Sequence, residues 1–369
     1  FHGVVRRQRQ MCIRVRYMLV RYLNVLLRLE NNVRAYTTET LWMQACLNLI
    51  YLLPGFVTQD ARAFVLGAVC SFAGVAVFYW RRASKGQTKE APVRGLRPYA
   101  HIYRAALPYG IVLAPAAILI PLYRAICLSF LGNYAPAAEQ GSFDFAYTLA
   151  QLVTTIQAGF STYWGPYVYA HYRTEQERIG RIHDLLNLLI FGFFCLLVMF
   201  EDIIFIIFPA KSACLPYFPL MMLAVVFSIL CEGTVYGNTI ARKPFHDTIG
   251  TAVGVAANIA VCAVLVPRFG VMGAAVGLVA ANATMFLYRT VTGQYYYRTI
   301  PSFSRTICGF LLAVGVAVIG VVFAHNFIIK FVLTAAILFI YCNIYRAQLY
   351  KLWQIFMGFV RRYLLHSQA

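Results

Sequence analysis

Ala105–Phe130 reads AALPYGIVLAPAAILIPLYRAICLSF, an apolar run interrupted by Pro108, Pro115 and Pro121 and carrying a single charge, Arg124. It exceeds the roughly 20 residues that a helix needs to cross a bilayer. Proline inside a helix removes a backbone donor and bends the axis. Lipid-embedded helices tolerate this where neighbours or a wet cavity satisfy the freed carbonyls. The stretch is read as a bent membrane span with the three prolines as hinge candidates. Arg124 is costly inside a span, so it either faces the bundle interior or snorkels to the nearby interface.

A basic segment, Arg81–Arg104, precedes this run, and the alternation of basic and apolar stretches repeats along all 369 residues. Further clusters of Lys and Arg lie at Arg6–Arg34, Arg173–Arg181, Arg242–Lys243, Arg289–Arg305 and Arg346–Arg362. The intervening turns hold only Arg62, Lys211, Arg268 and Lys330. Cytoplasmic loops of membrane proteins carry the excess of Lys and Arg, so this ladder predicts about ten spans with both ends in the cytoplasm. They fall near 36–55, 62–80, 105–130, 143–170, 183–207, 216–238, 247–266, 271–290, 306–323 and 329–345. The expected fold is all-α, a polytopic membrane helix bundle. The formal charge of +19 thus reports topology; with 61% hydrophobic residues the chain lacks a soluble surface, and nucleic acid is excluded as a partner.

The ten cysteines fall mostly inside apolar spans without a CxxC pair, which reads as small buried hydrophobes, with neither metal nor cofactor implied. Residues 11–31 place Arg14, Arg21 and Arg28 on one stripe, which fits an interfacial helix, a groove lining or a basic flank. On the fourth span Thr148, Gln151, Thr155, Ala158 and Thr162 share one face, flanked by Gln157. Small polar residues at this spacing either glue helices together or line a pathway. The helix closes on Tyr163-Trp164-Gly165-Pro166-Tyr167, an aromatic belt at the cytoplasmic boundary.

Gly250, Gly254 and Asn258, and then Gly273, Gly277 and Ala281, repeat every four residues around the turn Val266–Gly270. Both are small-xxx-small faces that predict a tight helical hairpin. Glu232 is read as the one carboxylate well inside a span, either an ion-coupling group or the partner of Arg242 or Lys243. Glu201 and Asp202, near an outer helix end, are expected to be hydrated.

Three stretches together carry a family resemblance: Gly141-Ser-Phe-Asp-Phe-Ala-Tyr147 running on to Phe160-Ser-Thr-Tyr-Trp-Gly-Pro166, Phe269-Gly-Val-Met-Gly-Ala-Ala275, and Leu107-Pro108 after a basic linker. The chain resembles the Wzx-type lipid-linked oligosaccharide flippases, the polysaccharide-exporter branch of the multidrug/oligosaccharidyl-lipid/polysaccharide superfamily. The resemblance implies two six-helix bundles facing each other across a central cavity. On that template 1–34 is a basic amphipathic segment, 35–80 a remnant of the first bundle, and 81–104 a cytoplasmic linker. Residues 105–290 become the second bundle, 291–345 two additional helices and 346–369 a basic tail, with most of the first bundle absent. The family places an acid beside the arginine of the third span; here Tyr123 stands there, and the acid is missing.

The implied function is movement of an undecaprenyl-diphosphate-linked oligosaccharide across the bacterial cytoplasmic membrane by alternating access. The partners would be membrane lipid, the lipid-linked sugar and polysaccharide assembly proteins. Arg124 would meet the diphosphate, and Gln151, Thr155, Gln157 and Asn258 the sugar hydroxyls. A cation-coupled multidrug exporter of the same superfamily needs several cavity carboxylates, of which only Glu232 qualifies. A polymerase or ligase needs catalytic groups on a large outer loop, and the outer turns are short. A truncated, inactive membrane fragment is the remaining alternative. The reading is of a transporter and not an enzyme.

Overall fold

The structure, a computed structural model, describes residues 100–350 together with Gly74, Trp353, Gln354 and Met357. The 1–34 segment, the two spans expected before residue 81 and nearly all of the 81–104 linker lie outside the described residues. The chain divides into two compact units, one of residues 1–100 with 152–167 and the other of 101–151 with 168–369. The second unit holds most of what is described, and the architecture below is its own.

The described elements are helices: α1 (Ala100–Tyr134), α2 (Ala137–His171, whose residues 152–167 belong to the first unit), α3 (Gln176–Ile207), a 3-10 turn (Pro209–Cys214), α4 (Phe218–Thr234), α5 (Tyr236–Ile240), α6 (Phe245–Tyr296), α7 (Phe303–Val322) and α8 (Phe327–Ile344). No strand occurs among the described residues. Six stretches are long and apolar enough to cross a membrane: Leu107–Tyr134, Gln176–Ile207, Phe218–Ile240, Phe245–Tyr296, Phe303–Val322 and Phe327–Ile344. Helix α2 is equally long but more polar, carrying Glu139, Asp144 and the glutamines of its striped face. Large apolar side chains stand open on the outside, among them Ile118, Ile206, Val291 and Phe339, each about two-thirds exposed or more (68%, 74%, 69% and 71%). Only lipid makes such a surface tolerable.

Helix α4 is the axis of the unit. Two-thirds of its most apolar window is buried, against 17% for α1 and for α8, which leaves those two largely to the lipid. It packs on α3, α6 and α7. Helix α1 runs unbroken through all three prolines. Two donors from α6 serve its carbonyls: the Thr248 hydroxyl bonds Val112 O at 2.6 Å, and Asn258 Nδ2 bonds Tyr123 O at 2.8 Å.

Helix α6 contains both spans of the expected hairpin. Gly270, at φ 53°, breaks it in a region closed to most side chains and turns the chain back. The arms touch where the small residues recur. A Cβ on Gly250 would lie 2.8 Å from Arg289 Cγ, one on Gly254 2.8 Å from Ala281 O, one on Gly273 2.6 Å from Leu265 O, and one on Gly277 2.9 Å from Asn258 Oδ1. A further close approach joins α5 to the end of α6, where a Cβ on Gly237 would run into the Gly293 carbonyl.

Candidate functional site

Helices α1 and α2 are joined by a two-residue turn, so they lie side by side and bring Arg124 against Asp144. The guanidinium grips the carboxylate with both arms, Nε donating to Oδ1 at 2.7 Å and Nη2 to Oδ2 at 2.5 Å. Parallel double bonding of this kind fixes orientation as well as charge. The Arg124 guanidinium also lies 5.3 Å from the centre of the Tyr147 ring. The carboxylate that engages Arg124 thus comes from the next helix and not from its own. Glu232 is therefore not the only carboxylate within a long helix.

Asp144 precedes Thr148 by four residues and Gln151 by seven, which puts all three on one face of α2. Thr148 donates to the Asp144 carbonyl at 2.8 Å, and Gln151 is hydrogen-bonded to Tyr147. The side chains of Arg124 and Asp144 remain 38% and 39% exposed. Arg124 lies ten residues from the end of α1, roughly 15 Å by helical rise. An ion pair left open on one side is costly against hydrocarbon, so its open side is a candidate to face water.

The other expected site residues are distributed differently. Gln157 is partly exposed on α2, and the Thr155 side chain lies outside the described residues. Asn258 is fully buried between α1 and α6. Besides its bond to Tyr123 O, it accepts from Cys127 Sγ at 3.4 Å and Cys262 Sγ at 3.2 Å. Glu232 is partly buried on α4, within electrostatic reach of Arg289 and Asp247. Neither basic partner expected for it is engaged there. Lys243 Nζ donates to Tyr296 Oη at 3.2 Å, and Arg242 is exposed at a φ of 56°.

Two buried charge clusters escaped the sequence reading. Arg289, counted among loop arginines, is 8% exposed inside the bundle. Its Nη2 donates to Asp247 O at 2.8 Å and to Thr251 Oγ1 at 2.7 Å, while Asn238 Nδ2 donates to Asp247 Oδ1 at 3.1 Å. Lys330, counted among outer turns, is completely buried on α8. Its Nζ lies 2.9 Å from Glu201 Oε1 and 2.5 Å from Asp202 Oδ2 on α3. The expectation that these two acids are hydrated is thus overturned for Glu201, which is fully buried, and only Asp202 keeps partial exposure at 23%. A lysine within Phe327-Ile-Ile-Lys330-Phe and paired acids within Met199-Phe-Glu-Asp-Ile203 were the available signals. No group of metal-ligating side chains occurs among the described residues.

Fold and charge placement together define a multi-pass α-helical membrane protein. No family model matches the chain, and no characterised protein matches it in sequence. Among solved structures, it is similar to the lipid II flippase MurJ in an inward closed conformation, with a TM-score of 0.54 and 11% sequence identity. The match covers 83% of this chain and 67% of that one. At this identity the likeness is one of fold.

Proposed function

We propose that the chain moves an undecaprenyl-diphosphate-linked oligosaccharide from the inner to the outer leaflet of the bacterial cytoplasmic membrane. The observation that carries this reading is the Arg124–Asp144 pair, double-bonded yet open on a polar helix face. A diphosphate can leave water only for a cationic partner. In the empty carrier Asp144 neutralises Arg124 and holds it in one orientation. An arriving diphosphate takes over guanidinium donors, and water solvates the carboxylate it releases. Gln151, on the same face as Asp144, offers a donor and an acceptor to sugar hydroxyls. Bending of α1 at Pro108, Pro115 and Pro121 accompanies alternating access, and Glu232, near Arg289 and Asp247, is the ion-coupling group. Asn258 belongs with the helix contacts and not with the lining.

The test is complementation of a strain lacking its own O-unit flippase, read as surface polysaccharide. Arg124→Ala abolishes export, and Arg124→Lys keeps part of it because charge remains but the fork is lost. Full export by the alanine variant returns Arg124 to a structural role and refutes the reading. The resemblance in fold to a lipid II flippase motivates a second arm, rescue of a strain depleted of lipid II transport. Rescue there alone changes the substrate to a peptidoglycan precursor. Resistance to cationic drugs without either rescue favours the multidrug exporter.

A further inference from the structure

On the side of the bundle where the basic loops gather, a cleft of about 680 Å³ opens between the start of α3, the loop 297–302, the start of α7 and Gln348. It lies among residues that the transport reading does not use. Three arginines line it, Arg181 on α3, Arg298 in the loop and Arg305 on α7, against two carboxylates, Glu177 and Asp184 on α3. Arg305 is engaged, its Nη1 3.1 Å from Asp184 Oδ2. Arg181 and Arg298 are exposed, and neither guanidinium has a partner among the described residues.

The walls are preformed. Gln294 Oε1 accepts from the backbone N–H of Thr299 and of Ile300, both at 2.9 Å, and Gln176 Nε2 donates to Arg298 O at 3.1 Å. Gly180 lets the loop lie against α3, since a Cβ there would come 2.8 Å from Pro301 Cγ. The amino ends of α3 and α7 both open on the cleft, adding positive potential. Asp184 is 3% exposed at its side chain, and Gln348 Nε2 donates to its Oδ2 at 3.0 Å. Asp184 Oδ1 and Gln348 Oε1 are nevertheless buried without a donor among the described residues. The cleft thus combines two free guanidiniums for an anion with two acceptors awaiting a donor.

An apolar track leaves its rim. Phe303 lines the cleft, and Ile307 and Leu311 follow at four-residue steps up the same face of α7, 51%, 57% and 62% exposed. Polar cleft and lipid-facing track are continuous. We propose that this is a binding site for an inner-leaflet phospholipid whose headgroup carries a phosphodiester and a hydrogen-bond donor, as phosphatidylethanolamine does. The phosphate sits between Arg181 and Arg298, the ammonium turns to Asp184 and Gln348, and one acyl chain lies along α7. Basic pockets between helices on the cytoplasmic side recognise lipid heads by this chemistry.

The test uses the full chain purified in detergent, with phosphatidylethanolamine binding followed by native mass spectrometry. Arg181→Ala/Arg298→Ala weakens binding by about tenfold or more, the effect of losing charge-assisted bonds. Arg173→Ala/Arg242→Ala removes equal charge from exposed sites outside the cleft and leaves binding unchanged. Ile307→Gln/Leu311→Gln weakens it through the track alone. Glycerophosphoethanolamine, which has the headgroup but no acyl chains, fails to compete. Equal binding by the Arg181/Arg298 variant and the wild type overturns the site. Competition by the soluble headgroup at the same concentration overturns the lipid and leaves a free-phosphate site. Selective displacement by undecaprenyl diphosphate overturns the phospholipid and makes the cleft part of the transport path. None of these readouts depends on flipping, so failure of the proposed transport function leaves this test standing.

Discussion

Replacing Lys330 by Met removes one of two fully buried charges in the described structure. Lys330 and Glu201 are both fully buried, 2.9 Å apart, and Asp202 completes the cluster at 2.5 Å. Removing one member of a buried pair costs about 3–5 kcal/mol, because the remaining charge is left without a partner. For Glu201, the fully buried acid, a ceiling comes from the proton, while Asp202 keeps partial contact with solvent. Neutralising a carboxylate of ordinary pKa near 4.3 at pH 7 costs about 2.7 pH units at about 1.4 kcal/mol each, or about 3.7 kcal/mol. Lys330→Met therefore destabilises the bundle by about 3–4 kcal/mol, which lowers the melting temperature by on the order of 10 °C. The assay is thermal unfolding of the purified protein in detergent at pH 7, followed by tryptophan fluorescence. Adding Glu201→Leu and Asp202→Asn to Lys330→Met removes the stranded charge and restores most of the loss, since well-packed apolar replacements of buried ion pairs are often neutral. If Lys330→Met melts with the wild type, or the triple variant melts no higher than the single one, the triad does not hold α8 to α3.

Three further outcomes follow from the same structure. Exchanging the partners, Arg124→Asp with Asp144→Arg, recovers fold stability lost in either single variant but not surface export, because the cation then sits on the other helix; full export would refute the assignment to Arg124. Gly237→Ala forces a methyl into the Gly293 carbonyl and costs about 1–3 kcal/mol by overpacking, whereas Gly192→Ala, with nothing within 4 Å, is neutral in the same melt. Cysteine introduced at Glu139 is labelled by an impermeant maleimide on intact cells, and cysteine at Thr174 only after permeabilisation; the reverse pattern would invert the topology read from the basic loops.

What the sequence made legible were features set by local composition or short repeats. Span positions came from runs of apolar residues bounded by Lys and Arg, and the α6 hairpin from glycines spaced four apart. Both depend on residues close in the chain. The ion pairs depend on residues brought together by packing, 20 positions apart for Arg124 and Asp144 and 129 for Glu201 and Lys330. Counting bases in loops also misplaces any base near a helix end. The last helical arm was expected to stop at 290, with Arg289 at its edge, but α6 runs to Tyr296 and carries Arg289 about 10 Å inside. Gly237 and Gly293 were missed because each stands outside the four-residue repeats, on opposite sides of their contact.

Exposure separates the ion pairs into two kinds, and the separation bears on transport. Around Lys330 the protein solvates the fully buried Lys330 and Glu201, with only Asp202 part-exposed, so opening that cluster strands an ion in a low dielectric and costs several kcal/mol. Arg124 and Asp144 keep more than a third of their side-chain surface open, so water shares in their solvation and a new anion can replace the carboxylate without a bare intermediate. A carrier needs one site whose partner can be exchanged on every cycle and others that never open. The fixed cluster joins α8 to α3, at the periphery. The open pair lies on α1, the helix with three prolines, and on α2, the helix with the polar face. Under the proposed function, an anionic substrate that displaced Asp144 would act directly on the segment best able to bend. Binding and conformational change are coupled there if the freed carboxylate biases α1 toward its other shape, and Asp144→Asn, which keeps the size but removes the charge, would then uncouple transport while leaving substrate bound.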